Sequence, residues 1–346
     1  MTALAAATRA GPARSAEASW SGAVAGVPLR IDALSAALAR QVTAWLEGAL
    51  LLSPAPVGGA PALCVRIAAL APRDEPTAPP PAANGLIFVR PQALPDGLVG
   101  LDLPHARCRI DPATGAAELA LAETWWRAPL KLQQEAWLLT LAWLLRPRGR
   151  YALHASAVVR AGRGLVLAGE SGSGKSSAAL SLIQHGWGWL ADDLILLHDE
   201  AAPRLSGLAR GFAFDPVLGE RLSWAVAKPA AGKAFADPEA LLPGRRVDSC
   251  RPAALLFPRV VAGASRLARL SPAAALVALL PASGGVVAAG GGAHARAQMA
   301  ALGALVRTAP AYRLDAGPDI FGEGAALESL LAAHGLRFDG DTAEAG

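Results

Sequence analysis

Eight residues constrain this chain more than any others: Gly169-Glu170-Ser171-Gly172-Ser173-Gly174-Lys175-Ser176 is a glycine, four residues, then Gly-Lys-Ser. The flanks read as the strand and helix such a loop needs. Leu165–Ala168 is an apolar run, and Ser177 to Gln184 carries Leu180 and Ile183 at helical spacing. Glycines let successive backbone N–H groups turn toward phosphate oxygens, and the helix N-terminus adds partial positive charge. The pattern predicts an α/β nucleotide-binding domain in which Gly169 to Ser177 cradles phosphates. Lys175 is expected to reach the β- and γ-phosphates and the Ser176 hydroxyl to coordinate Mg²⁺.

A phosphate loop specifies a nucleotide, not a reaction, so the acids at neighbouring strand ends matter next. Asp199-Glu200, with Leu205-Ser206-Gly207 behind it, has the composition of a transporter ATPase signature but the wrong order, and Pro203 marks a solvated turn. Asp192-Asp193 follows the apolar stretch Trp187 to Ala191. If that strand lies beside the phosphate-loop strand, one carboxylate can hold Mg²⁺ while the other accepts a proton from an attacking hydroxyl. The alternative is a turn or N-cap pair. His154, in the apolar run Tyr151 to Arg160, is placed by that run on the strand before the loop strand, where an imidazole can contact phosphate or orient an acid.

His154-Ala155-Ser156, then Gly169 to Ser177, then Leu190-Ala191-Asp192-Asp193 resembles the catalytic domain of HPr kinase/phosphorylase, in particular the divergent HPr kinase-related serine kinases of bacteria. Lys175 follows His154 by 21 residues and Asp192 follows Lys175 by 17, as in that family. The resemblance is firm over about residues 150–200, looser to about 320, and includes the proline-led Pro310 to Leu314. It implies a P-loop kinase domain of the HPr kinase C-terminal type that uses ATP and Mg²⁺. A protein serine would attack the γ-phosphate, with Asp192 as base, Asp193 as supporting acid and metal ligand beside Ser176, and His154 on the phosphate side. It also implies a homo-oligomer. One departure stands out. Where family members able to run the reverse, phosphorylase reaction carry Glu-Ile-Arg-Gly, this chain has Leu208-Ala209-Arg210-Gly211. The metal-binding glutamate is then replaced by Leu208, so phosphorylase activity is not expected.

Hydrophobic types make up 53% of the 346 residues and charged types 17%, a balance that invites a membrane reading. The apolar runs argue against it: Trp137 to Leu145 is too short, and Pro272 to Gly292 is broken by Pro281 and glycines, whereas a spanning helix wants ~20 apolar residues. Much of the apolar count is alanine. The 32 basic residues against 28 acids leave a net charge of +4 without a dense basic stripe, so no nucleic-acid partner is expected. Three isolated cysteines, Cys64, Cys108 and Cys250, indicate neither a disulfide framework nor a thiolate metal site, and no secretory signal is recognisable, so a cytoplasmic protein is expected.

The expected organisation is a tail over 1–20, a small α+β region over 21–122, a connecting helix within 123–149, the kinase-like domain over 150–335 and a second tail over 336–346. Within the small region, strands are expected at Gly26 to Asp32, Ala62 to Leu70 and Gly85 to Arg90, with a helix from Ala33 to Leu52. Pro72 to Asn84 is expected as a proline-rich connector, and a hairpin is expected around Asp111 to Gly115. Lys228 to Arg246 reads as a loop able to flank a substrate. Three functions fit: a kinase for a serine in a protein or a small precursor peptide such as a lasso-peptide precursor, a small-molecule P-loop kinase, and a nucleotide-dependent module that holds a peptide without phosphorylating it.

Overall fold

The computed structural model describes residues 18–49, 61–76, 91–208, 212–214, 220, 234–236, 243–287, 293–320 and 324–338. They fall into two units, Met1–Arg148 and Gly149–Gly346.

In the first unit, β1 (Ala18–Val24) and β2 (Val27–Ala33) form a hairpin, followed by α1 (Ala36–Ala49), β3 (Leu63–Ala69), β4 (Gln92–Ala93), β5 (Val99–Leu103), β6 (Ala106–Asp111), β7 (Ala116–Leu121) and α2 (Leu130–Leu145). The sheet order is β1-β2-β3-β7-β6-β5-β4, parallel at β2–β3 and β3–β7 and antiparallel elsewhere. Alternating burial gives β3 one core face: Leu63, Val65 and Ile67 are buried, with less buried residues between them. The β6–β7 hairpin is closed by Asp111, whose Oδ1 accepts from the backbone N–H of Ala113 (3.0 Å) and Thr114 (3.2 Å).

Two boundaries differ from expectation. Ala18–Trp20 belong to β1 rather than to a tail, because pairing with Ile31 to Ala33 buries Trp20. The helix expected as a connector packs inside this unit. Its Gln133 amide donates to the Trp125 carbonyl at 2.8 Å, its Thr140 hydroxyl faces Cys108 Sγ at 3.3 Å, and Trp137 meets Trp45 of α1 edge-on at 6.0 Å. The strand expected at Gly85 to Arg90 lies outside the described residues, as do 50–60 and most of the proline-rich connector; Pro72–Asp74 forms one 3-10 turn.

The second unit comprises β8 (Arg150–Leu153), β9 (Ala155–Arg160), β10 (Arg163–Ala168), α3 (Lys175–Gln184), β11 (Gly188–Ala191), β12 (Ile195–His198), β13 (Arg204–Gly207), β14 (Phe212–Phe214), β15 (Ala234–Ala236), β16 (Ser249–Val260), β17 (Arg266–Leu270), α4 (Pro272–Val287), α5 (Ala293–Thr308), β18 (Ala311–Ala316) and α6 (Gly324–Ala333). A mixed sheet runs β11-β9-β10-β16-β13-β12-β8, with β18 and β17 added on β16, and β14 pairs separately with β15. β16 is parallel to both β10 and β18, and its Leu255 joins Val166, Leu197, Leu279, Leu302 and Leu305 in the core. The helix expected over Pro272 to Leu280 continues to Val287, since Pro281 removes one N–H without forcing a stop; the Ser283 hydroxyl bonds the Leu280 carbonyl at 2.9 Å. Among the described residues no helix is long and apolar enough to cross a membrane.

The Leu-Ser-Gly stretch is structural. The Ser206 hydroxyl pairs with His198 Nε2 at 2.8 Å, and at Gly207 a Cβ would fall 2.1 Å from the Leu190 carbonyl oxygen. Burial, aided by Arg150, holds the His198 imidazolium pKa below its usual value despite nearby Glu200. The unfolded histidine takes up a proton as pH falls through about 6.5, whereas the folded one resists until its lower value. This contribution to stability is therefore complete above about 6.5 and is lost as pH falls from there through the folded value. Denaturant unfolding at pH 5.5 and 7.5 is expected to show a smaller acid loss for His198→Gln than for the unsubstituted chain.

The end of α6 is pinned. Glu328 accepts from the Arg160 guanidinium and the Trp187 indole N–H, and the Trp187 ring lies 4.7 Å from Phe338. Leu336 to Phe338, expected to open a tail, are therefore docked by aromatic burial, with Phe338 buried.

Candidate functional site

β10 runs into the loop 169–174, and α3 begins at Lys175. Gly172 and Gly174 have φ of 84° and 98°, conformations that a side chain disfavours, so the loop's turns depend on glycine there. The Ser173 N–H bonds back to the Glu170 carbonyl at 3.2 Å, which closes the loop on itself. Lys175 is buried to 5% exposure and donates to the carbonyls of Gly169 (2.8 Å) and Glu170 (2.9 Å). Glu170 and Ser171 are exposed, and Ser176 and Ser177 occupy the first turn of α3. Ser173 Oγ is buried without a hydrogen-bond partner. An orphaned hydroxyl inside a glycine-turned loop fits an incoming oxygen acceptor, and thus a phosphate.

Asp192 comes to this loop by a route different from the expected one. β11 pairs with β9, and β9 stands between β11 and β10, so the strand before Asp192 does not lie beside the loop strand. The tight turn Ala161-Gly162, at φ 48° and 73°, folds β9 back along one edge of β10, and β16 takes the other. Asp192 still reaches α3: the Ser176 hydroxyl donates to its Oδ1 at 2.9 Å, with Oδ2 at 3.2 Å. The Ser156 hydroxyl, from β9, donates to the same Oδ1 at 2.5 Å. Asp192 is 1% exposed and Ser156 is fully buried.

Asp193 faces elsewhere. The Leu194 N–H bonds to the Asp192 carbonyl at 2.9 Å, which closes a three-residue turn with Asp193 at φ 70°. Its Oδ1 lies 3.3 Å from His154 Nδ1, and its backbone carbonyl lies 3.0 Å from the same nitrogen. The run 151–160 is not one strand: His154 sits at the bend between β8 and β9, where its N–H bonds to the Ala282 carbonyl at 2.8 Å. Two linked groups result, Lys175–Ser176–Asp192–Ser156 on the loop and His154–Asp193 beside it. The carboxylate that Ser176 touches is Asp192, not Asp193.

Among the described residues no three His, Cys, Asp or Glu side chains converge as a metal site. A carboxylate bonded to a hydroxyl at a phosphate loop nevertheless fits Mg²⁺, which is commonly held by one or two carboxylates together with phosphates and water. Leu208 is 3% exposed and apolar. Arg210 and Gly211 lie outside the described residues, as does most of Lys228 to Arg246.

Ser156 is a participant that the sequence alone does not mark, beyond its being a single hydroxyl in the otherwise apolar stretch Ala155 to Val159.

The family model for the HPr Serine kinase C-terminal domain matches residues 148–215, a span that contains every residue of both groups. No curated protein matches the sequence. One similar solved structure is described as the Hpr(Ser) kinase/phosphatase from Coxiella burnetii, at 15% identity and a TM-score of 0.30, over 54% of this chain and 96% of that one.

Proposed function

Residues 148–215 match the HPr Serine kinase C-terminal domain, and from that likeness we propose an ATP- and Mg²⁺-dependent kinase that phosphorylates a serine in a protein or small precursor peptide. The observation that carries the reading is the Ser176–Asp192 hydrogen bond of 2.9 Å at the mouth of a glycine loop already holding Lys175. Bound Mg²⁺ would supply charge neutralisation across the phosphates as the γ-phosphoryl group is transferred.

The chain's own residues divide the remaining work. Lys175 exchanges two carbonyl partners for phosphate oxygens, a gain because both members of the new pair are charged. Ser173 Oγ and the loop N–H groups complete the cradle. Ser176 and Asp192 hold the metal side. Asp192 is buried and its Oδ1 already accepts two hydroxyl bonds, so it is poorly accessible to a substrate hydroxyl. Asp193, with its side chain 27% exposed and His154 beside it, is better placed to accept the proton of the acceptor serine. This reverses the roles that the family resemblance implies for the two aspartates. Leu208 offers no ligand, which favours a forward reaction without phosphorolysis.

The same Leu208 supports a second reading, a module that binds nucleotide and holds a peptide without transferring phosphate. Incubation with γ-labelled ATP, Mg²⁺, serine-containing peptides and the products of adjacent genes separates the possibilities. Label on serine in a peptide or protein is the expected result. Label confined to small hydroxyl metabolites would identify a small-molecule kinase, and ATP and peptide binding without any label would leave the holding module.

A further inference from the structure

We infer that Ser156 is a positioning residue for the phosphate site, an inference that rests on the phosphotransfer reading above. Because β11 is separated from β10 by β9, Asp192 must reach Ser176 across an intervening strand. Ser156 is the β9 residue at that crossing: it pairs with Leu167 of β10, and the next residue, Ala157, pairs with Ala191 of β11. Its hydroxyl holds Asp192 Oδ1 at 2.5 Å while the Ser176 hydroxyl of α3 donates to the same oxygen, so two hydroxyls from two elements fix one carboxylate.

Packing alone does not call for a hydroxyl there. The neighbours Ala155 and Ala157 are fully buried alanines, and a buried hydroxyl is tolerated only with an acceptor. The arrangement is that of an outer partner orienting a metal-side carboxylate, where losing the partner typically weakens metal binding by 10–100-fold. Ser156 touches neither nucleotide nor acceptor in this account; it acts through Asp192.

The test uses the full chain, with Ser156→Ala and the volume-conserving Ser156→Cys. A fluorescent ADP analogue is titrated with and without Mg²⁺, circular-dichroism melting reports folding, and γ-label transfer reports turnover. For Ser156→Ala, nucleotide binding in EDTA is expected to stay within about two-fold of the unsubstituted chain, because Lys175 and the loop are untouched. The Mg²⁺ concentration for half-maximal binding is expected to rise about ten-fold. Ser156→Cys, a weaker donor, should shift it in the same direction, and this variant decides the matter if the alanine variant does not melt cooperatively. An unchanged Mg²⁺ requirement in a folded variant overturns the inference while leaving the kinase reading intact. Failure of the unsubstituted chain to show Mg²⁺-dependent nucleotide binding overturns both.

Discussion

Asp192→Asn is expected to reduce phosphoryl transfer at least ~10³-fold, roughly 4 kcal/mol of lost transition-state stabilisation, and to abolish the Mg²⁺ dependence of nucleotide binding. The substitution is nearly isosteric. The amide oxygen can still accept from Ser156 and Ser176, so the buried hydroxyls keep an acceptor and the fold should persist. What disappears is a full negative charge that is 1% exposed and bonded to the Ser176 hydroxyl. A bound cation would lose its fixed counter-charge. Melting curves, nucleotide titration in EDTA and in Mg²⁺, and single-turnover transfer of the γ-label together check this result. Unchanged Mg²⁺-dependent binding with undiminished transfer would remove Asp192 from the machinery.

Asp193→Asn should behave differently. Asparagine tolerates positive φ about as well as aspartate, so the turn at φ 70° is kept and the backbone carbonyl beside His154 stays in place. Only the proton-accepting charge is removed. Turnover is expected to fall by about 10²–10⁴-fold, the usual worth of a general base, with nucleotide and Mg²⁺ binding unaltered. The contrast between the two variants decides their roles: loss of turnover with intact binding in Asp192→Asn, and near-normal turnover in Asp193→Asn, would restore Asp192 as the base.

The loop was the most legible part of the site. Gly172, Gly174, Lys175 and Ser176 carry their constraints in their own chemistry, and an apolar strand and a helix must flank them. Strand order was not legible, because nothing local in Trp187 to Ala191 says which neighbour it will pair with; that depends on Ala161-Gly162 turning β9 back onto β10. The same limit applies to His154. An unbroken apolar run reads as one strand, yet the chain leaves β8 and enters β9 there, with the bend fixed by the Ala282 carbonyl, far away in sequence. In the first unit, β1 escapes notice because Ala18 to Val24 is mostly small residues, and α2 reads as a connector because its burial is set by Trp45, Cys108 and Trp125 on other elements. Ser156 was visible as a residue but not as a contact, since its acceptor lies 36 positions on.

The turn at Asp193 bears on how the chain can vary. At φ 70° the sterically cheapest occupant is glycine, and an aspartate there costs of order 1–3 kcal/mol in backbone strain. Replacing the aspartate with glycine would relieve that strain. On the roles proposed above, the acid at this turn is stability given up for reactivity. A glycine variant should then come out of any screen for thermal tolerance as a winner that has lost its chemistry.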